Sequence, residues 1–272
     1  MATMLLTGAS DGIGAAAAVE LTQLGHCVLA SGRSPEKLAR VHDEMVGAAP
    51  ADVEVPDPIP CDLSAMENVR GLAAAALERC PRIDVLVNNA GLQTRRREVS
   101  PDGYELVFAV NHLAPFLLTN LLLERVQASD GRVVTTSSAA HRFGGIDFDD
   151  LQMERRWRAF SSYGRSKLAN IWFTSELTRR TGVAATCFHP GGVNTELSRD
   201  SRMNALKPVF GRFARTPAAG ADTLVWLATT DEGAHPHAMY YANRKPGSMS
   251  SRAKDTTAAA RLWDVSAELV GL

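Results

Sequence analysis

"TMLLTGASDGIGAAAAVELTQLG", residues 3–25, sets a short apolar run against a helix-forming one, with three glycines at the junction. Residues 3–7 are too few for a helix and read as a buried strand, while Gly12 to Leu24 carries a helical pattern. Glycines in such a turn let the backbone N–H groups and the helix N-terminus meet a pyrophosphate. The spacing is T-G-x-x-x-G-x-G, and its candidate contacts are Gly8, Ser10, Asp11, Gly12, Ile13 and Gly14. The same pattern also fits a strand–turn–helix that holds no ligand.

Further along, the alternation repeats. "HCVLAS" (26–31), "IDVLVNN" (83–89), "GRVVTTSS" (131–138) and "GVAATCFHP" (182–190) read as buried strands. Weaker strands lie near 53–61, interrupted by Pro56, Pro58 and Pro60, and near 238–242. Helical patterns cover Pro35 to Val46, Ser64 to Arg79, and Gly103 to Val126 with a kink at Pro115. Others cover roughly 154–180, 217–230 and 255–270. This order predicts an α/β fold: one doubly wound, Rossmann-type parallel sheet of about seven strands, helices on both faces, in a single domain over 1–272.

The chain of 272 residues is 45% hydrophobic and 22% charged, which suits a folded α/β protein and excludes a disordered one. A formal net charge of -1 gives no electrostatic reason for a nucleic-acid partner. The four cysteines, Cys27, Cys61, Cys80 and Cys187, are scattered and read as reduced core residues. With no targeting segment or membrane span visible, a cytoplasmic location is expected. His112, His141 and His189 fall on different elements, so no metal site is expected.

Ligands of open parallel sheets bind outside the carboxyl ends of the strands, and more motifs fall there. "NNAG" (88–91) offers Asn89, Ala90 and Gly91 as a small turn that can pass under an adenine ribose, or simply as a turn. In "CDLS" (61–64), Asp62 and Leu63 are candidate adenine contacts, and Asp62 is equally a cap for the helix from Ser64. "HPGGVNTEL" (189–197) offers Pro190, Gly191, Val193 and Thr195 to a nicotinamide amide, or serves as a chain reversal. In "SYGRSKLANIW" (162–172), Tyr163 and Lys167 lie four apart on a helix and so share a face.

These motifs, in this order, resemble the short-chain dehydrogenases/reductases over essentially the whole chain. "NHLAPFLLTNLL", "YGRSKLANIWFTSEL", "HPGGVNTEL" and "RLWDVSAELVGL" resemble more narrowly the retinol dehydrogenase, WW-domain oxidoreductase and protochlorophyllide reductase branch. That branch also spaces its serine and tyrosine widely; 25 positions separate Ser138 from Tyr163 here. The resemblance implies hydride transfer between a nicotinamide and a carbonyl/alcohol group of an apolar small molecule. Tyr163 is then the acid/base, and Lys167 lowers its pKa and grips the nicotinamide ribose. Ser138 steadies the substrate oxygen, with Ser137 as competitor, and Asn111 supports a proton relay through a water. Bringing a phenol from a pKa of about 10 down by two or three units needs roughly 3–4 kcal/mol, which an ammonium within about 5 Å and the positive nicotinamide ring are of the right sign to supply.

Strand two ends in "ASGRSPEKL" with no acidic residue, and Arg33 is placed to pair with a ribose phosphate. NADP(H) is therefore expected over NAD, although Asp11 stands where many NADP-preferring relatives carry a base. In the family the stretch around 194–216 is the substrate lid. Its apolar residues Leu197, Met203, Leu206, Val209, Phe210 and Phe213 suit core, pocket lining or a membrane surface. Arg95, Arg96 and Arg97 read as a solvated face that could border the substrate mouth. Reduction of C=C bonds on the same scaffold, or dinucleotide sensing without catalysis, are the alternative activities. Homo-oligomers are common in the family.

Overall fold

A computed structural model describes residues 1–192 and 215–272. The opening run forms strand β1 (Thr3–Thr7), with Met4, Leu5 and Leu6 wholly buried. Because successive side chains of a strand point to opposite faces, Met4 and Leu6 join one core and Leu5 the other. The chain continues as α1 (Gly12–Gln23), β2 (Cys27–Gly32), α2 (Pro35–Ala48), β3 (Ile59–Pro60), α3 (Met66–Arg79) and β4 (Val85–Asn88). A short turn of helix, α4 (Leu106–Phe108), leads through a π-turn (Ala109–Leu113) into α5 (Ala114–Ala128). Then come β5 (Arg132–Thr136), α6 (Ala159–Thr181), β6 (Ala184–His189), α7 (Pro217–Thr229), α8 (Asp231–Ala234), β7 (Tyr240–Ala242), β8 (Lys245–Pro246) and α9 (Thr256–Val270).

The strands form one eight-stranded sheet in the order β3-β2-β1-β4-β5-β6-β7-β8. All pairings are parallel except the last, where β8 runs antiparallel to β7. Helices α1, α2 and α7 cover one face of the sheet, and α3, α5, α6 and α9 the other. The segment Leu106–Ala128 is long and apolar enough to cross a membrane, yet most of it is buried between its neighbouring helices and the sheet.

Several boundaries differ from expectation for local reasons. The eighth strand arises from a tight hairpin at Asn243 and Arg244, both at positive φ (55° and 56°), a turn no Asn-Gly pair signals. β3 shrinks to two residues because its prolines lack N–H donors, leaving it a place only at the sheet edge. The bend expected at Pro115 is the π-turn just before it; Pro115 has no N–H to give the carbonyl of Asn111, four residues back. α3 is capped by Asp102, whose Oδ2 accepts from Met66 N (2.8 Å), whereas Asp62 closes a local turn by accepting from Ser64 N. α6 starts at Ala159, not 154, because the Asp150 carboxylate takes the N–H groups of Glu154 and Arg155.

Candidate active site

Strand β1 pairs with β2 on one side and β4 on the other, so the connections leaving β1 and β4 diverge and open a crevice. Glycines make its floor. Gly8 sits at φ 70°, and a Cβ there would lie 2.7 Å from Ala90 Cα. On Gly14 a Cβ would fall inside contact of the Gly8 carbonyl oxygen and 2.6 Å from Asn89 Nδ2. Thr7 ties the two turns together: its Oγ1 accepts from Asn89 N (3.1 Å) and Ala90 N (3.3 Å) and donates to Val87 O (3.2 Å). Asn89 donates through Nδ2 to Thr7 O (3.1 Å), and its Oδ1 accepts from Thr136 Oγ1 (3.4 Å). Nothing larger than hydrogen fits at these glycines, so the floor stays bare backbone, which suits a pyrophosphate approaching the N-terminus of α1.

Above this floor lies a cleft of about 840 Å³. Gly8, Ser10, Asp11, Gly12, Ile13, Gly14, Arg33, Asp62, Leu63, Asn89, Ala90, Gly91, Pro190 and Gly191 line it, together with Ser138, Tyr163 and Lys167. Val193, Thr195 and nearly all of the 194–216 stretch lie outside the described residues. Arg33 is exposed on the rim, and among the described residues no carboxylate pairs with it. The Asp11 carboxylate, in contrast, accepts from Gly12 N (2.6 Å) and from Lys37 Nζ (2.8 Å). Its charge is thus offset by a lysine on α2.

At the opposite end the tyrosine helix meets the end of β5. Lys167 is buried; its Nζ donates to Thr136 O (3.1 Å) and lies 5.5 Å from the centre of the Tyr163 ring. The two serines separate cleanly. Ser137 is wholly buried and donates to the Lys167 carbonyl (2.8 Å), pinning β5 to α6. Ser138 is partly exposed and lines the cleft, where its hydroxyl favours ionisation of the Tyr163 phenol. Asn111 does not line the cleft. It lies under Gly91, with Oδ1 accepting from Leu92 N (2.7 Å) and Nδ2 donating to Leu92 O (3.0 Å) and Ser166 Oγ (3.0 Å). A Cβ on Gly91 would stand 3.3 Å from both Asn111 Oδ1 and Lys167 Nζ, so that glycine keeps the path between cleft and lysine open.

The electrostatics correct one expectation. Burial pushes the Tyr163 phenol up to about 12, outweighing the Ser138 hydrogen bond that favours ionisation. Burial also brings the Lys167 ammonium down to about 8. Both groups are desolvated, so each resists charge, and the protein's own residues hold the phenol as a protonated donor.

Sequence reasoning missed part of the lining: Ser31, Cys61, Leu92, Gln93, Thr94, Glu98, Leu106, Val110 and Thr136. Arg95 and Arg96 also face the cleft, while Arg97 turns away to Gln152 O (3.0 Å) and Glu154. For Leu92, Gln93, Thr94, Arg95 and Arg96 the signal was their position just after β4, a strand end that borders the crevice.

Residues 2–205 match the family model for short chain dehydrogenases. A protein of Streptomyces sp. (strain C5) named as a daunorubicin C-13 ketoreductase, DnrU, is 41% identical over 99% of this chain and 92% of its own. Human retinol dehydrogenase 14 is 39% identical over 99% of this chain and 86% of its own. A solved structure of a short chain dehydrogenase from Shigella flexneri 2a str. 301, complexed with NADP, superposes with a TM-score of 0.67 at 29% identity, over 85% of this chain and 92% of that one. With its doubly wound sheet, its glycine-floored crevice and relatives among the retinol dehydrogenases, this chain is an oxidoreductase of the short-chain dehydrogenase/reductase family, whose members bind NAD(P).

Proposed function

We propose that this enzyme transfers hydride between NADP(H) and a carbonyl/alcohol group of an apolar small molecule, working chiefly as a ketone or aldehyde reductase. The observation that carries the reading is convergence: Ser138, Tyr163 and Lys167 meet at one end of the cleft whose other end is the glycine floor and Arg33. The nicotinamide supplies the hydride. Tyr163, held protonated by burial, gives its proton to the oxygen that gains charge. Ser138 donates a hydrogen bond to the same oxygen, and Lys167 offsets the charge left on the phenolate. Asn111 keeps the Leu92 backbone and Ser166 in place beside the lysine. Members named as a ketoreductase and as retinol dehydrogenases support a carbonyl or alcohol on an apolar body.

Arg33 supports NADP over NAD: its guanidinium, paired with no carboxylate among the described residues, stands on the rim where a ribose phosphate would come, and Lys37 compensates the Asp11 carboxylate that would repel it. Arg33→Asp should therefore lower kcat/KM for NADPH by at least tenfold relative to NADH; an unchanged ratio would overturn the assignment. Catalysis itself is tested by following NADPH oxidation on a panel of apolar ketones and aldehydes. Tyr163→Phe should lower kcat by about 10²–10⁴-fold, the range of a general acid, with NADPH still bound by fluorescence titration. Tight NADPH binding by the parent without turnover on any member of the panel would mark a dinucleotide sensor instead.

A further inference from the structure

His141 is wholly buried directly behind the serine that faces the cleft. It stands in the short 3-10 turn Ala139–Phe143 that follows Ser138. Its Nδ1 lies 2.7 Å from the Ser138 carbonyl oxygen, and Ser250 N donates to its Nε2 (3.2 Å). These partners settle the tautomer. A carbonyl oxygen can only accept, so Nδ1 carries the proton; a backbone N–H can only donate, so Nε2 is bare. Burial lowers the ring's pKa, in keeping with the neutral form, and the ring meets Tyr240 edge-on at 5.2 Å between centres.

The same turn is fastened to the same downstream loop twice more. Arg142 donates to Ser248 O (2.6 Å) and Ser248 Oγ (2.7 Å), and Arg252 donates to Gly144 O (3.3 Å). Trp172 on α6 closes the circle by donating to Arg252 O (2.9 Å). Of these side-chain contacts, the His141 bond alone reaches Ser138, whose carbonyl also accepts from the His141 backbone N–H (3.1 Å) within the turn. The serine hydroxyl is meanwhile set by its own geometry, with Oγ accepting from Ala140 N (3.2 Å).

We propose that His141 is a positioning residue that fixes the Ser138 hydroxyl against the substrate oxygen, by holding the Ser138 carbonyl to the loop at Ser248–Arg252. This rests on the role given to Ser138 above. His141 touches no reacting atom; it acts through the backbone of the residue that does. A reacting group displaced by about 1 Å can lose as much as 10²-fold in rate, so a tether of this kind should be read in kcat.

The experiment compares substitutions that keep one half of the tether. His141→Asn retains a side-chain donor for the Ser138 carbonyl; His141→Gln reaches Ser250 but leaves that carbonyl only the backbone N–H bond that every variant keeps. His141→Phe fills the ring's space against Tyr240 with neither nitrogen, and serves as the second test should the glutamine variant not fold. The expected result is a kcat about tenfold below the parent for the glutamine and phenylalanine variants, with carbonyl KM and NADPH Kd within twofold, and near-parental kcat for the asparagine variant. In a Ser138→Ala background the glutamine substitution should add no further loss. Parental kcat in His141→Gln, equal losses in the asparagine and glutamine variants, or the same tenfold loss on top of Ser138→Ala would each overturn the proposal. Parental kcat in Ser138→Ala alone would instead overturn the reading of Ser138 and this inference with it, so the two failures are told apart.

Discussion

Lys167 is the residue on which the electrostatics of the site turn. Its aliphatic stem and ammonium are buried, and its polar partner is a backbone carbonyl, a dipole and not a charge. Desolvation with no counter-ion among the described residues favours the neutral amine, which is why the group titrates near 8 instead of 10.5. The sign is unambiguous: below about 8 the ammonium is present, above it the charge is lost. An ammonium is the form that offsets a phenolate, so the pH profile of kcat/KM, which reports the free enzyme, should fall on the alkaline side near pH 8. Arginine cannot be deprotonated in this range. Lys167→Arg should therefore abolish that limb while lowering the plateau, because a guanidinium does not fit the ammonium's place beside Thr136 and Gly91. An alkaline limb that persists unchanged in Lys167→Arg would assign it to another group.

The helix that carries Tyr163 and Lys167 is itself held by a buried charge. Arg165 lies between them in sequence but faces away from the cleft, with its side chain 1% exposed and paired to Glu105 (3.2 Å), itself wholly buried. The Glu105 carboxylate also accepts from Trp157 Nε1 (3.0 Å), Ser162 Oγ (3.0 Å) and Phe108 N (2.9 Å). Arg165 donates in turn to the Leu151 carbonyl and covers the Phe108 ring at 4.9 Å. One acid thus joins the start of α4, the insert before α6 and the first turn of α6. Removing one member of such a pair strands the other, at a cost of about 3–5 kcal/mol. Glu105→Ala should lose that much in urea unfolding, and Glu105→Ala with Arg165→Met should recover most of it. If the double variant is no more stable than the single one, the buried charge is not the source of the loss. Elements like this explain what could be read beforehand. β1, its glycine turn and the Tyr163–Lys167 spacing are local patterns, visible within a few residues. Glu105 and Arg165 are sixty positions apart, and each alone looks like a surface charge on a helix. His141 likewise gave no signal, since its distant partner Ser250 meets it only once the turn after β5 and the segment after β8 are side by side.

Across the whole molecule, buried histidines couple folding to acid. His112 is 1% exposed and packed among Phe108, Phe116 and Phe173, with Nε2 at 2.9 Å from Ser266 Oγ. Burial, its largest influence, drives its pKa down to about 3, and burial also lowers His189, to about 4, and His26 and His141. Each takes up a proton less readily in the fold than in the unfolded chain, whose imidazoles titrate near 6.5. The unfolded state therefore holds more protons below pH 6.5, and stability must fall as pH falls from there toward the folded pKa values. For His112 the window runs from about 6.5 to about 3, and between pH 7 and pH 5 it alone should cost about 2 kcal/mol. Glu232, held down to about 2 by Tyr241 and His237, adds a second loss as pH falls from the ordinary carboxylate range toward about 2. The two contributions separate by substitution. His112→Phe extends the aromatic cluster and removes the titrating ring, at the expense of the Ser266 hydrogen bond. Its stability at pH 7 should be similar to or below the parent's, but its loss between pH 7 and pH 5 should be smaller by about 2 kcal/mol. Urea unfolding of both proteins at the two pH values measures this directly, and equal losses in parent and variant would mean that His112 takes up its proton inside the folded state.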